Sequence, residues 1–486
     1  MTLVARNDLT LFDTFQEKGY WWLPETPDKQ IPGILFHGER ETRLELFGEL
    51  YEESLAEKGI VKQPRPVPLI LGWLEDQGVC TLYKNHLTGQ KIHVPGGAAS
   101  TNWSSQALFI GKHFPKQEEI AFSSMGVNYT NLEEWVSEPP FKAPDHKMEG
   151  DKLVGYESAY VARDPMEVEI PTLDATLKIE CAPRFIHGFS SRTQEYADFV
   201  SLYPKGPQHL DWYLTAFKDW AGLLTLLVGE PVYEKRMIGY APPKGEAGEM
   251  DEKEVSVYLH HKGRQQSDPK HPYEMLVALP RFKHWFPEAV KKWFENSATL
   301  RDVYSLFFSS LYSPGAFLES EFLSLVQALE SFSRTRGGAD LYVTEDVYQG
   351  IRERLLAAIP EGIDEGLKAS LEGHIHFGNQ HSLKRRVGAI LGSLETDTLK
   401  LFCPAPAEFK KKIVDTRNYL AHWDMKSKKK ALHGTALWVA NQRLRLLLTI
   451  LLLKETCFQE KAIRERLHTH PKWLQLIHLY LNREEY

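Results

Sequence analysis

The stretch Asp415-Thr416-Arg417-Asn418-Tyr419-Leu420-Ala421-His422 decides the reading of this chain. Lys410-Lys411-Lys412 precede it, and a second basic run, Lys426 to Lys430, follows. Residues four apart on a helix share a face, so Asn418 and His422 stand side by side, with Arg417 near the edge of that face. A guanidinium, an amide and an imidazole then lie within reach of one phosphate. Arg grips phosphate with a planar two-pronged fork, and His carries a proton that is mobile near neutral pH. Such a site needs no acid pair, thiol, hydroxyl or metal. The same residues on a solvated helix face would carry no chemistry, and the pattern alone leaves both readings open.

Working outward, the C-terminal part reads as helices. Phe317 to Arg334 is amphipathic, with Phe317, Leu318, Phe322, Leu325, Val326, Leu329 and Phe332 at three-and-four spacing. Further helices are predicted over Tyr348 to Ile359, Ser382 to Leu394, Phe409 to Trp423 and Gly434 to Cys457, with a polar helix and tail after Gln459. Together they make a helical bundle. The breaker Ser313-Pro314-Gly315 places the domain boundary, giving residues 1–313 and 314–486. From Glu408 to Tyr486 there are 16 Lys and Arg against 8 Asp and Glu, in a chain whose net charge is -7. A local basic excess of this kind favours a polyanion, although a solvated helix gives the same count.

The N-terminal part reads differently. Thr42 to Gly48 alternates polar and apolar with period two, as a half-buried strand does. Leu69 to Leu74 and Val79 to Tyr83 flank the turn signal Asp76-Gln77-Gly78 and predict a hairpin. Strands are also expected at Ala107 to Gly111, Val168 to Ile170, Ala175 to Ile179 and Val255 to Leu259. Lys142 to Lys152 reads as a polar loop, and Asn131 as the cap of a short helix ending at Val136. One strong helix runs from His209 to Val228. The sum is a β-rich α+β module.

Composition excludes little. The 486 residues are 42% hydrophobic and 25% charged, as in ordinary globular proteins. Cys80, Cys181, Cys403 and Cys457 lie too far apart for metal-ligand spacing and fit a reducing cytosol. The opening residues carry no apolar signal core, and the apolar run Leu444 to Leu453 is too short to span a bilayer. The expectation is a cytoplasmic protein without membrane contact.

Several segments carry a family resemblance. The stretch from Asp415 to His422 resembles the Arg-x(4–6)-His signature of HEPN ribonucleases. Leu325 to Glu330, Ser382 to Arg386, Leu444 to Leu448 and Leu451 to Glu455 resemble the HEPN part of the ApeA family. Trp22 to Glu25, Ile31 to Leu35 and Leu44 to Gly48 resemble that family's own N-terminal domain. The implied architecture is a β-rich α+β sensor or regulatory module followed by an all-α HEPN bundle.

The resemblance implies a metal-independent endoribonuclease of bacterial anti-phage defence that acts by shutting down the infected host. It needs no cofactor. RNA supplies the nucleophile in its ribose 2′-OH. His422 serves as base or acid, Arg417 as phosphate clamp, and Asn418 holds the imidazole or a phosphate oxygen. One His does not comfortably play both acid and base. HEPN proteins pair across a two-fold axis, so a homodimer through the C-terminal bundle is expected. Glu330, on a neighbouring helix, is the candidate acidic residue orienting His422 or Arg417, although a solvated Glu reads the same way. The implied partners are an RNA substrate, host tRNA or another cellular RNA, and a phage-derived trigger. The alternative is a non-catalytic HEPN-type scaffold that binds nucleic acid or a partner; a plain dimerisation domain is the third reading.

Other motifs are weaker. His374-Ile375-His376 with His381 would be metal ligands on a strand, but they read as a Gly-flanked loop. Gly96-Gly97 lacks the following Lys-Ser/Thr of a phosphate loop and reads as a turn.

Overall fold

A computed structural model describes residues 9–38, 41–51, 66–91, 100–243, 252–260, 268–336, 341–423 and 428–482. Gly96-Gly97 and part of the second basic run lie outside these residues. The chain divides into two compact units, Met1–Phe294 and Glu295–Tyr486.

The first unit begins with six antiparallel strands, β1 (Phe15–Trp22), β2 (Ile31–His37), β3 (Thr42–Leu46), β4 (Val67–Leu74), β5 (Gly78–Lys91) and β6 (Ser100–Ile110). They close into a barrel: β1 pairs β2 and β4, β2 pairs β3, and β6 pairs both β3 and β5, which in turn pairs β4. Closure removes the open edges that a flat sheet would present. The alternation read in Thr42–Leu46 is the barrel's pleat, with Thr42, Leu44 and Leu46 buried and Arg43 and Glu45 outward. Trp21, Leu35, Ile70, Leu82 and Leu108 fill the interior.

Strand β6 serves both the barrel and an open extension of the same sheet. Its first half, Thr101 to Ser105, pairs β3, whereas Ala107 to Ile110 pairs β16 (Lys253–Leu259) on the same edge. From β16 an open antiparallel sheet continues through Glu234–Ala241, Ser124–Tyr129, Arg192–Pro204, Ala175–His187 and Met166–Ile170. The intervening strands are β7 (Ala121–Phe122), β8 (Ser124–Tyr129), β9 (Asp145–Glu149), β10 (Lys152–Glu157), β11 (Met166–Ile170), β12 (Ala175–His187), β13 (Arg192–Pro204), β14 (Gln208–His209) and β15 (Glu234–Ala241). Strands β9 and β10 form a hairpin where the sequence predicts a loop. Every residue of β9 and nearly every one of β10 is exposed, so no alternation marks them.

Two helices pack within this unit. In α1 (Leu132–Val136), Asn131 does not cap with its side chain; its Oδ1 accepts from the Lys270 N–H at 2.8 Å. The apolar face of α2 (Leu210–Val228) is buried, and the Tyr129 and Tyr213 hydroxyls donate to the Phe217 and Phe122 carbonyls. Beneath α1, the carboxylate of Asp198 is wholly buried on Arg163, and burial pushes its pKa up to about 7 against the pull of that guanidinium.

The second unit is helical. Its elements include α4 (Arg301–Tyr312), α5 (Leu318–Arg336), α6 (Glu345–Ala357), α7 (Glu365–Phe377), α8 (Leu383–Gly392), α9 (Thr396–Phe402) and α10 (Pro406–His422), following α3 (Phe286–Ser297), which spans the division. The long helix Gly434–Glu455 is the core, with Leu444, Leu447, Leu448 and Leu452 fully buried. It is long and apolar enough to cross a membrane by length and composition, but 83% of its apolar window is buried inside the fold. Helix α5 lies against it through the Asn441 amide on the Leu318 carbonyl at 3.0 Å and the Glu321–Arg445 pair at 2.9 Å.

The boundary expected at Ser313 falls instead between Phe294 and Glu295. Ser313-Pro314-Gly315 is a turn between two helices of one unit, because α4 buries Val303, Tyr304 and Phe307 and packs on α5. Helix α7 lies where the sequence reads as loop; Leu367, Leu371 and Ile375 recur every four residues along it, yet none of its residues is buried.

One close approach in the barrel is directly testable. Trp21 is opposed to Gly72, and a Cβ built on Gly72 would lie 2.3 Å from Trp21 Cε3. Gly72→Ala must displace a fully buried indole, and overpacking of this kind costs about 1–3 kcal/mol. The urea transition of the first unit should move to lower concentration. Gly206→Ala, with nothing within 4 Å of the new methyl, should leave it nearly unchanged.

Candidate functional site

Helix α10 is oriented by its buried face. Phe409, Ile413, Thr416 and Leu420 point inward, and the buried Thr416 hydroxyl accepts from the Leu432 N–H at 2.9 Å. Lys410 lies along Gly388 of α8, so close that a Cβ there would sit 3.3 Å from its Cδ and Nζ. With that face fixed, the opposite one must face solvent. Lys411, Asn418 and His422 are exposed and Asp415 is half-buried. Their spacing of four, three and four sets them in one stripe along the helix.

Asn418 and His422 therefore share an accessible face, as their spacing predicts. Arg417 does not start on it. Five residues correspond to about 140° around a helix, so Arg417 leaves the backbone on a different side from His422. Its half-buried side chain bends back, and one guanidinium nitrogen lies 3.5 Å from Asn418 Oδ1, the outer limit of a hydrogen bond. Asn418 thus receives the guanidinium on the helix face that it shares with His422. The stripe adds Lys411 and Asp415, which the motif reading left without a role; their signal was the continued helical spacing.

The helix ends abruptly after His422. Trp423 takes a left-handed backbone (φ 51°) and its N–H donates to the Tyr419 carbonyl at 2.6 Å. Gly is the usual residue there, and an L side chain costs on the order of 1–2 kcal/mol in this conformation. The Tyr419 ring packs edge-on with both Trp423 and His433, with centroids at 5.5 and 5.6 Å.

Residues 16–293 match the family model of ApeA N-terminal domain 1, more than half of the chain, and residues 323–462 match that of the Apea-like HEPN domain. The chain belongs to the ApeA family. The two domains are those of ApeA-like anti-phage defence proteins, and HEPN domains as a group are associated with ribonuclease activity. All of α10, with Arg417, Asn418 and His422, falls inside the HEPN match of this ApeA-family chain. No curated protein and no solved structure matches the chain.

Glu330 sits elsewhere in the HEPN bundle than its expected role requires. Its carboxylate takes Arg334 of the same helix at 3.2 Å and Arg386 of α8 at 3.3 Å, with no bond to Arg417 or His422 among the described residues. Arg386 is 2% exposed, so Glu330 neutralises a buried guanidinium between α5 and α8. His374 and His376 lie in the last turn of α7, not in a loop. Two residues apart on a helix, they point about 200° apart and cannot chelate one ion. His374 Nδ1 bonds the Ser370 carbonyl at 2.7 Å, and His381 packs on Tyr342. Among the described residues no cluster of three His, Cys, Asp or Glu side chains could hold a metal.

Removing one partner of a buried pair typically costs 3–5 kcal/mol, and Glu330 keeps about a fifth of its side chain exposed. Glu330→Ala should therefore destabilise the helical unit by roughly 2–3 kcal/mol. Glu330→Ala/Arg386→Met should recover part of that loss in thermal melts, since it removes the orphaned charge.

Proposed function

We propose that this ApeA-family chain is a metal-independent endoribonuclease that cuts RNA at the exposed face of α10. The observation carrying this reading is the accessible Asn418–His422 pair with Arg417 drawn back onto Asn418. The 2′-OH adjacent to the scissile phosphate attacks phosphorus. An imidazole takes its proton as the O–P bond forms, and a second group protonates the departing 5′-oxygen. The Arg417 fork stabilises the equatorial oxygens where charge accumulates. Asn418 holds Arg417 or a phosphate oxygen. The products are a 2′,3′-cyclic phosphate and a 5′-OH end.

Acid and base act in one displacement, so a second proton-transfer group is required. In this proposal it is the partner subunit's copy of the same motif, brought in by a homodimer through the C-terminal unit. The exposure of His422 supports this, because none of the described residues of its own chain closes over it. The substrate is host tRNA or another cellular RNA, and the place of action is the cytoplasm. The N-terminal unit restrains the site until a phage-derived trigger arrives.

Arg417→Ala and His422→Ala test the reading. Both side chains leave the buried face untouched, so each variant should fold and melt as the parent does. Loss of an acid–base group or of a transition-state clamp costs roughly 100- to 10,000-fold in rate. Cleavage by either variant at the parent's rate would contradict the proposal. Binding of RNA by a parent that never cuts it would favour the non-catalytic scaffold.

A further inference from the structure

The end of α10 holds a feature that phosphate chemistry does not use. Trp423 follows His422 directly and is 65% exposed. Large apolar side chains in such a place are ordinarily buried or replaced, and this position asks for Gly on backbone grounds alone. The indole is nevertheless held in place. Its N–H-capped, left-handed backbone fixes where the side chain leaves the helix. Tyr419, itself buried, supports it edge-on at 5.5 Å, and His433 in turn packs edge-on against Tyr419 while its Nε2 meets the Lys428 carbonyl at 3.2 Å. The result is a braced aromatic face in solvent, one residue from the imidazole and within a basic stretch.

We infer that Trp423 is the base-stacking platform of the α10 site. This inference rests on the ribonuclease reading of Arg417 and His422 and sharpens its substrate class. A base can lie on an exposed indole only when it is out of its own helical stack. The substrate is therefore RNA with an unpaired base beside the scissile phosphate: a loop, bulge or single strand. Stacking is indifferent to base identity, so Trp423 selects unpaired over paired RNA and leaves sequence choice to other groups. Trp423 is a substrate-positioning residue and moves no proton. A contact made equally in ground and transition states appears in KM rather than in kcat.

The experiment uses the full chain with Trp423→Gly and Trp423→Phe. Gly satisfies the left-handed cap, so Trp423→Gly should melt at or above the parent temperature, which separates loss of the ring from loss of the fold. The binding probe is a short mixed-sequence 2′-O-methyl oligonucleotide, single-stranded or annealed to its complement, which lacks the nucleophile and cannot be cut. Trp423→Gly should weaken binding of the single strand by roughly tenfold and leave the duplex unchanged, while Trp423→Phe stays within about threefold of the parent. On cleavable RNA, Trp423→Gly should raise KM by a similar factor with kcat nearly kept. Parent-like binding of the single strand by Trp423→Gly overturns the inference, as does equal loss on single strand and duplex. If Trp423→Gly binds and cuts as the parent does while His422→Ala is inactive, stacking fails and the ribonuclease reading stands. If the parent neither binds the single strand nor cuts RNA, both fail together.

Discussion

The burial of one face of α10 governs the candidate site of this protein. Phe409, Ile413 and Leu420 supply its apolar area, and the bond from the Leu432 N–H to the Thr416 hydroxyl fixes its rotation. A buried hydroxyl left without that donor would cost about 1–3 kcal/mol, so the helix is not free to turn about its axis. Once the rotation is set, Lys411, Asn418 and His422 face solvent and Asp415 lies at their margin. The arrangement of Arg417, Asn418 and His422 follows from packing that itself involves none of the three. The core helix Gly434–Glu455 and the Glu330–Arg386 pair then hold the surrounding helices.

The N-terminal unit obeys a different constraint. Its strands must close, and β6 makes this possible by serving the barrel with one half and the open sheet with the other. Close approach inside the barrel depends on Gly72 leaving room for Trp21. The β9–β10 hairpin of this unit is exposed almost throughout.

Much of this was legible in the sequence where a local period carried it. The β-rich first part, the helical second part, the hairpin across Asp76-Gln77-Gly78 and the core helix all followed from alternation or three-and-four spacing. So did the shared face of Asn418 and His422. What escaped depends on partners distant in sequence. Barrel closure rests on the pairing of Thr42–Leu46 with Thr101–Ser105, and no local pattern encodes that register. The division of the units escaped because Ser313-Pro314-Gly315 reads alike as a linker or as a turn between packed helices. At the site, Glu330 was assigned by neighbourhood, yet the buried guanidinium of Arg386 takes its charge. The bend of Arg417 toward Asn418 and the bracing of Trp423 by Tyr419 are side-chain facts that spacing does not reveal.

The central claim is that the α10 face cleaves RNA by attack of its own 2′-OH. The most direct measurement is the chemistry of the ends that the purified full chain leaves on RNA in excess EDTA. The account predicts cleavage undiminished by the chelator, with every new 3′ end a 2′,3′-cyclic phosphate and every new 5′ end a hydroxyl. Ends bearing 3′-hydroxyl and 5′-phosphate, or cleavage abolished by EDTA, would contradict it.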